Sequence, residues 1–132
     1  MGFQAALGTA LYSKLTSTGG TALWGTRVFD TLAPQAAALP YVVFQHVAGG
    51  DLNISPSRLV EVEYRVECIG TVLSDARTGS DHIETALRDV TLTVSGFNAI
   101  ACTQQDLFNR VDTVDGKTYY RKGAFYRIRQ GA

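Results

Sequence analysis

The sequence predicts an α+β chain. Two stretches, Phe3 to Leu15 and Ser74 to Val90, place apolar residues at helical spacing. Between and after them run strand-like segments, of which Leu59 to Ile69 alternates without a break, and Asp115-Gly116 sits between two extended runs as a hairpin turn. The chain has 132 residues, the usual size of one domain, and is long enough for a core without disulfide or metal staples. A single domain over residues 1–132 is therefore expected.

The first helix carries Phe3, Leu7, Ala10, Leu11 and Leu15 on one face. Gly8 lowers its intrinsic propensity by about 1 kcal/mol relative to alanine, so packing against a sheet must supply its stability. Thr16 to Gly20 ends it with residues that tolerate positive φ and bond locally.

From Thr26 to Gln45 the chain reads TRVFDTLAPQAAALPYVVFQ. Two apolar runs, Val28-Phe29 and Tyr41 to Phe44, flank a small-residue segment with Pro34 and Pro40 at its ends. Proline fixes φ and lacks a donor, so each suits a loop or the entry to a strand, and the segment reads as strand, loop, strand. The run Pro40 to Ala48 is apolar on both faces, the mark of a covered strand. Gly49 to Ser57, GGDLNISPS, is expected to be a turn-rich connection.

Leu59 to Ile69 sets Val60, Val62, Tyr64, Val66 and Cys68 against Glu61, Glu63, Arg65 and Glu67, one buried face and one wet one. At this length the strand either bridges most of a sheet or protrudes as an extended hairpin with Pro40 to Ala48. In the second helix Ala76, Ile83, Ala86, Leu87 and Val90 share a side, Ser74 is the expected N-cap, and Asp75 suits the helix dipole. Thr91 to Val94 is a short strand. Phe97 to Val111 is a strand whose alternation weakens at Gln104, Gln105, Asp106 and Asn109. In the last strand, Thr118 to Arg129, the residues Ala124, Tyr126 and Ile128 face one way and Arg121, Phe125, Arg127 and Arg129 the other.

Chemistry is sparse. Cys68 and Cys102 show no ligand spacing and read as buried small hydrophobes, His82 as a surface residue, and His46 as a partly buried, hydrogen-bonded histidine. The glycine pairs Gly19-Gly20 and Gly49-Gly50 lack the frame and the lysine of a phosphate loop. No catalytic constellation assembles, so an enzyme, a cofactor and a metal are not expected. No apolar run approaches the roughly 20 residues that span a bilayer, and the N-terminus lacks a basic leader, so neither membrane nor secretion is expected.

Charge balances at twelve basic and twelve acidic residues, but not evenly along the chain. Glu61, Glu63 and Glu67 crowd one strand. Lys117, Arg121, Lys122, Arg127 and Arg129 fill the C-terminal one with no acidic residue among them. Such faces either meet head to tail between copies or pair within one subunit as neighbouring strands. Tyr119, Tyr120, Phe125 and Tyr126 interleave the basic strand and leave a nucleic-acid-binding module as a less favoured alternative.

Together, several segments resemble the tail-completion or tail-terminator proteins of long-tailed phages, prophages and gene-transfer particles. They are Ala6-Leu7 to Leu11, GTRVFDTLAPQAAALPYVVFQ, the strand VEVEYRVECIG, a helix beginning near SDA, and TVSG from Thr93 to Gly96. The resemblance implies a mostly antiparallel sheet with two helices on one face, and assembly as a homo-hexameric ring. The ring would cap the tail tube, end its polymerisation and join it to the head-neck complex at the head-tail junction of a particle made in the bacterial cytoplasm. Implied partners are further copies, the major tail tube protein and a head-completion or stopper protein, with DNA as cargo through the lumen. Another neck component, an adaptor or stopper, is the alternative. Candidate interface residues are Pro34, Gln35, Ala36, Ala37, Glu61, Glu63, Glu67, Arg121, Arg127 and Arg129.

Overall fold

The computed structural model describes residues 3–17, 21–34, 36–53, 58–94 and 97–130. In order these form α1 (Phe3–Leu15), α2 (Thr21–Trp24), β1 (Val28–Asp30), β2 (Tyr41–Asn53), β3 (Arg58–Gly70), α3 (Leu73–Leu87), β4 (Val90–Val94), β5 (Phe97–Val114) and β6 (Lys117–Gln130). The strands make one sheet in the order β1-β2-β3-β6-β5-β4. All pairs are antiparallel except β1 with β2, which run parallel with Val28 opposite Val42.

Period-2 patterning decides which face is covered. Val42 and Phe44, Val62 to Cys68 at alternate positions, Ile100 and Cys102, and Ala124, Tyr126 and Ile128 all point to one face and are buried. Leu7, Leu11 and Leu15 of α1 and Ile83, Ala86 and Leu87 of α3 pack onto that face in one core cluster. Full burial of one such aliphatic side chain stabilises the fold by about 1.5–3 kcal/mol, which outweighs the Gly8 penalty in α1. Trp24 is completely buried, and its Nε1–H donates to the Leu15 carbonyl oxygen at 3.0 Å, tying α2 to the end of α1. A Cβ added at Gly79 would lie 2.7 Å from Cys68 Cβ, so a glycine is what lets α3 approach β3 this closely.

Several boundaries differ from the pattern of the sequence. β2 does not stop at Ala48 but continues to Asn53, paired with β3 as far as Arg58, so Gly49 to Asn53 is strand. Ladder bonds to β3 outweigh the glycine and Asx turn preference there, and a bulge at Val47 with Gly49 at φ 87° absorbs the irregularity. Residues 54–57 of the expected connection lie outside the described residues. β5 likewise runs unbroken to Val114. Its weakened alternation marks one extra residue between Gln104 and Leu107, which pair with Tyr126 and Ala124. α3 begins at Leu73, one residue before the expected cap, with Val72 at the N-cap position and no side-chain cap. The β5–β6 turn has Asp115 and Gly116 both at positive φ (52° and 77°), as a two-residue hairpin turn requires.

Candidate functional site

The face of the sheet opposite the helices carries the charge. β3 and β6 are neighbours, with Glu67 opposite Gly123, Glu63 opposite Arg127 and Glu61 opposite Arg129. A Cβ at Gly123 would collide with the β3 backbone at Val66 and Glu67, so the glycine lets the two strands approach there, and the Glu67 side chain is only 1% exposed. A charge buried this far needs partners. Arg121 supplies them: its Nε donates to Glu67 Oε1 at 2.9 Å and its Nη1 to Asp112 Oδ2 at 3.1 Å. Arg65 Nε stands 3.3 Å from Glu67 Oε2, and Arg65 Nη2 donates to Gln45 Oε1 at 2.8 Å.

Aromatic rings continue this network. The Arg65 guanidinium lies 4.9 Å from the centroid of Phe108, and Phe108 meets Phe125 edge-on at 5.9 Å. Arg110 closes the far side with Nε 2.7 Å from Asp112 Oδ1. Hydrogen bonds from Arg121 and then Arg110 hold the Asp112 carboxyl below its ordinary value. At the other end, Arg127 Nε reaches Glu61 Oε1 at 3.0 Å.

Beside the network, Thr31 to Ala33, Ala37 and Leu39 overhang the sheet and border an open cleft of about 740 Å³, whose floor includes Val43, Glu67 and Arg121. Arg27 anchors this segment, donating from Nε to the Pro40 carbonyl oxygen at 3.0 Å and from Nη2 to that of Leu23 at 2.7 Å. Pro34 and Ala36 are exposed, Ala37 is half-buried and lines the cleft, and Gln35 lies outside the described residues.

The structure thus brings Glu61, Glu67, Arg121 and Arg127 together as pairs within one chain. Glu63 and Arg129 share the same face, Arg129 exposed, while Pro34, Ala36 and Ala37 stand apart on the overhang. Asp112, Arg65 and Phe108 are members that the sequence pattern did not single out. The Asp115-Gly116 turn already fixes Asp112 opposite Tyr119, one diagonal step from Arg121, and that register was the available signal.

No nucleophile with an adjacent base stands out in this arrangement. His46 is exposed, not half-buried: its Nε2 lies 2.8 Å from the Ala48 carbonyl oxygen and donates to it, with the ring against Tyr64. His82 meets Trp24 edge-on. Cys68 and Cys102 are free and buried, and burial pushes both thiols up to about 12. Among the described residues no group of three or more His, Cys, Asp and Glu converges on a metal site, and no helix is long and apolar enough to cross a membrane.

A family model described as tail completion protein gp17 matches residues 9–129. The chain belongs to this family. As a tail completion protein it is a structural component of a phage-type particle's tail. Among solved structures, a chain of the virion of a native gene transfer agent particle superimposes with a TM-score of 0.77 at 19% identity, covering 98% of each chain. A second solved structure reaches 0.65 at 12% identity over 98% of this chain and 96% of that one. At these identities the likeness is one of fold. No curated protein matches the sequence.

Proposed function

We propose that this tail completion protein is the ring-forming subunit that closes the tail tube. Six copies cap the finished tube, stop its growth and present the surface on which the head-completion or stopper protein docks, with DNA passing through the lumen as cargo. Membership of the family over residues 9–129 is the observation that carries this reading. The fold supports it. Helices fill one face of the sheet, and the opposite face offers braced charges and an overhang in place of reactive groups.

On this reading the whole chain folds as one domain, and contacts between copies include the Pro34 to Ala37 segment and the charges Glu63 and Arg129 on the face opposite the helices. Glu67 with Arg121, and Glu61 with Arg127, already pair within the chain. They shape that surface, and the half-exposed Arg127 is also open to a neighbour.

The test is the assembled mass, measured by light scattering alone and with tube protein, together with tail length in particles made without this protein. A species near six times the 14.3 kDa chain and tails of uncontrolled length are expected. A strict monomer in solution and in purified particles would overturn the ring. A position in a particle map away from the tube end would make the protein an adaptor or stopper.

A further inference from the structure

Both edges of the sheet are left half covered. On one edge β1 pairs with β2 only at residues 42–44; on the other, β4 pairs with β5 only at residues 97–102. Among the described residues, no strand pairs with the outer edge of β2 from Gln45 to Asn53 or with that of β5 from Thr103 to Val114. Open edges present rows of backbone donors and acceptors and are normally blunted by lysine, proline or a cover. The β5 edge has neither lysine nor proline; its charges Arg110 and Asp112 pair with each other, its bulge lies at the start of the open stretch, and Leu107, Val111 and Val114 beyond it are 65%, 61% and 55% exposed.

The two open edges lie at diagonally opposite corners. Gln45 is level with Arg65 and Phe125, and hence with the bulge of β5 next to Gln104, whereas Val114 is at the far end by Lys117. β2 and β5 run in opposite directions, because β2–β3, β3–β6 and β6–β5 are three successive antiparallel pairs. A second copy in the same orientation therefore brings its β2 antiparallel to β5.

We infer that copies of this chain join edge to edge, β2 residues 45–53 of one pairing with β5 residues 107–114 of the next. This rests on the ring reading above and names its seam. Two obstacles limit how far the edges overlap, and the longest overlap they allow is taken as the register. The neighbour's β1 must clear the end of β5 at Val114, and the neighbour's Asn53 must stop short of β4 at Cys102. Gln45 opposite Val114 satisfies both, and with the Val47 bulge it sets Ala48 opposite Asp112 and Gly49 opposite Val111.

The faces then match. Gln45 and Val114 both line the cleft side of the sheet, and Gly49, paired with Val62, shares the helix side with Val111. The neighbour is displaced along the strands by about eight residues, roughly 26 Å at about 3.3 Å per residue. Strands staggered in this way tilt against the axis of a closed ring.

Two adjacent cysteine pairs test the seam: Gln45→Cys with Val114→Cys, and His46→Cys with Thr113→Cys. One of them falls at a non-hydrogen-bonded position, where Cα atoms approach to about 4.5 Å. Within one chain β3 and β6 separate the paired positions. Mild oxidation of the assembled protein is expected to give a ladder of covalent multimers for one pair, and none for Gln45→Cys with Thr103→Cys. Amide exchange is expected to slow at 45–53 and 107–114 on assembly.

A ring that forms without cross-links or protection there overturns the edge pairing and leaves the terminator reading standing. Absence of any assembly, with or without tube protein, overturns both. Dimers cross-linked by Val114→Cys alone would show β5 pairing with itself, and protection that appears only with tube protein would assign the edge to that protein; either overturns the inference.

Discussion

Arg121 holds Glu67 and Asp112 at once, one carboxylate buried in the sheet and one on the hairpin beyond it. Removing the guanidinium leaves Glu67 charged, buried and short of donors, a situation that typically destabilises by about 3–5 kcal/mol. Arg121→Met is therefore expected to lower the urea midpoint strongly. Replacing both Glu67 and Arg121 by methionine should recover most of the loss, since no stranded charge remains. A single variant losing under about 1 kcal/mol would mean the pair is not what sustains this face.

Asp112 supplies an acid-sensitive contact. Its carboxyl is held below 3.8 by Arg121 and Arg110, so it is more acidic in the folded chain than in the unfolded one. Such a group adds stability above the unfolded value and loses it as pH falls through the folded one. Asp112→Asn should thus be less stable than the parent at pH 7, with the gap closing below about pH 3.8. Thermal melts of both proteins across pH 2–7 check this, and a constant gap would refute it.

Gly79→Ala sets two effects against each other. In an exposed helix the change would stabilise by about 1 kcal/mol. Here the new Cβ would crowd Cys68, with Cys68 Cβ at 2.7 Å and Trp24 Cζ3 at 3.5 Å, and overpacking of this kind costs about 1–3 kcal/mol. Net destabilisation is expected, with a change in the near-ultraviolet signal of Trp24, the only tryptophan. A variant more stable than the parent would show that α3 moves away freely.

The two thiols give a direct probe of the core. Both are fully buried and pushed up to about 12, so thiolate is scarce at pH 8. A disulfide reagent at pH 8 should leave the native protein unmodified over hours and label two groups at once in denaturant. Rapid labelling of either in the native state would place it in an opening region.

Much of this architecture was legible because local pattern and tertiary demand agree. Leu59 to Ile69 alternates since one face meets the helices and the other meets charge, and Asp115-Gly116 turns where only positive φ fits. Legibility failed where pairing overrode propensity. Gly49 to Asn53 looks like a loop and is strand, and α2, four residues long, is too short to show a period. Of the surface network, the excess of acid on one strand and base on another was visible. The order β3-β6, which turns that excess into internal pairs, depends on contacts distant in sequence.

The tip of the β5–β6 hairpin, Asp112 to Val114 with Lys117 to Tyr119, runs past Gly70, the last residue of β3 to pair with β6. A single layer of two strands resists bending far less than a sheet backed by helices. In the ring proposed above, each subunit is then a stiff body with a compliant tip. A rigid block fits neighbours at one fixed angle, whereas a compliant tip lets identical subunits take up small mismatches in curvature.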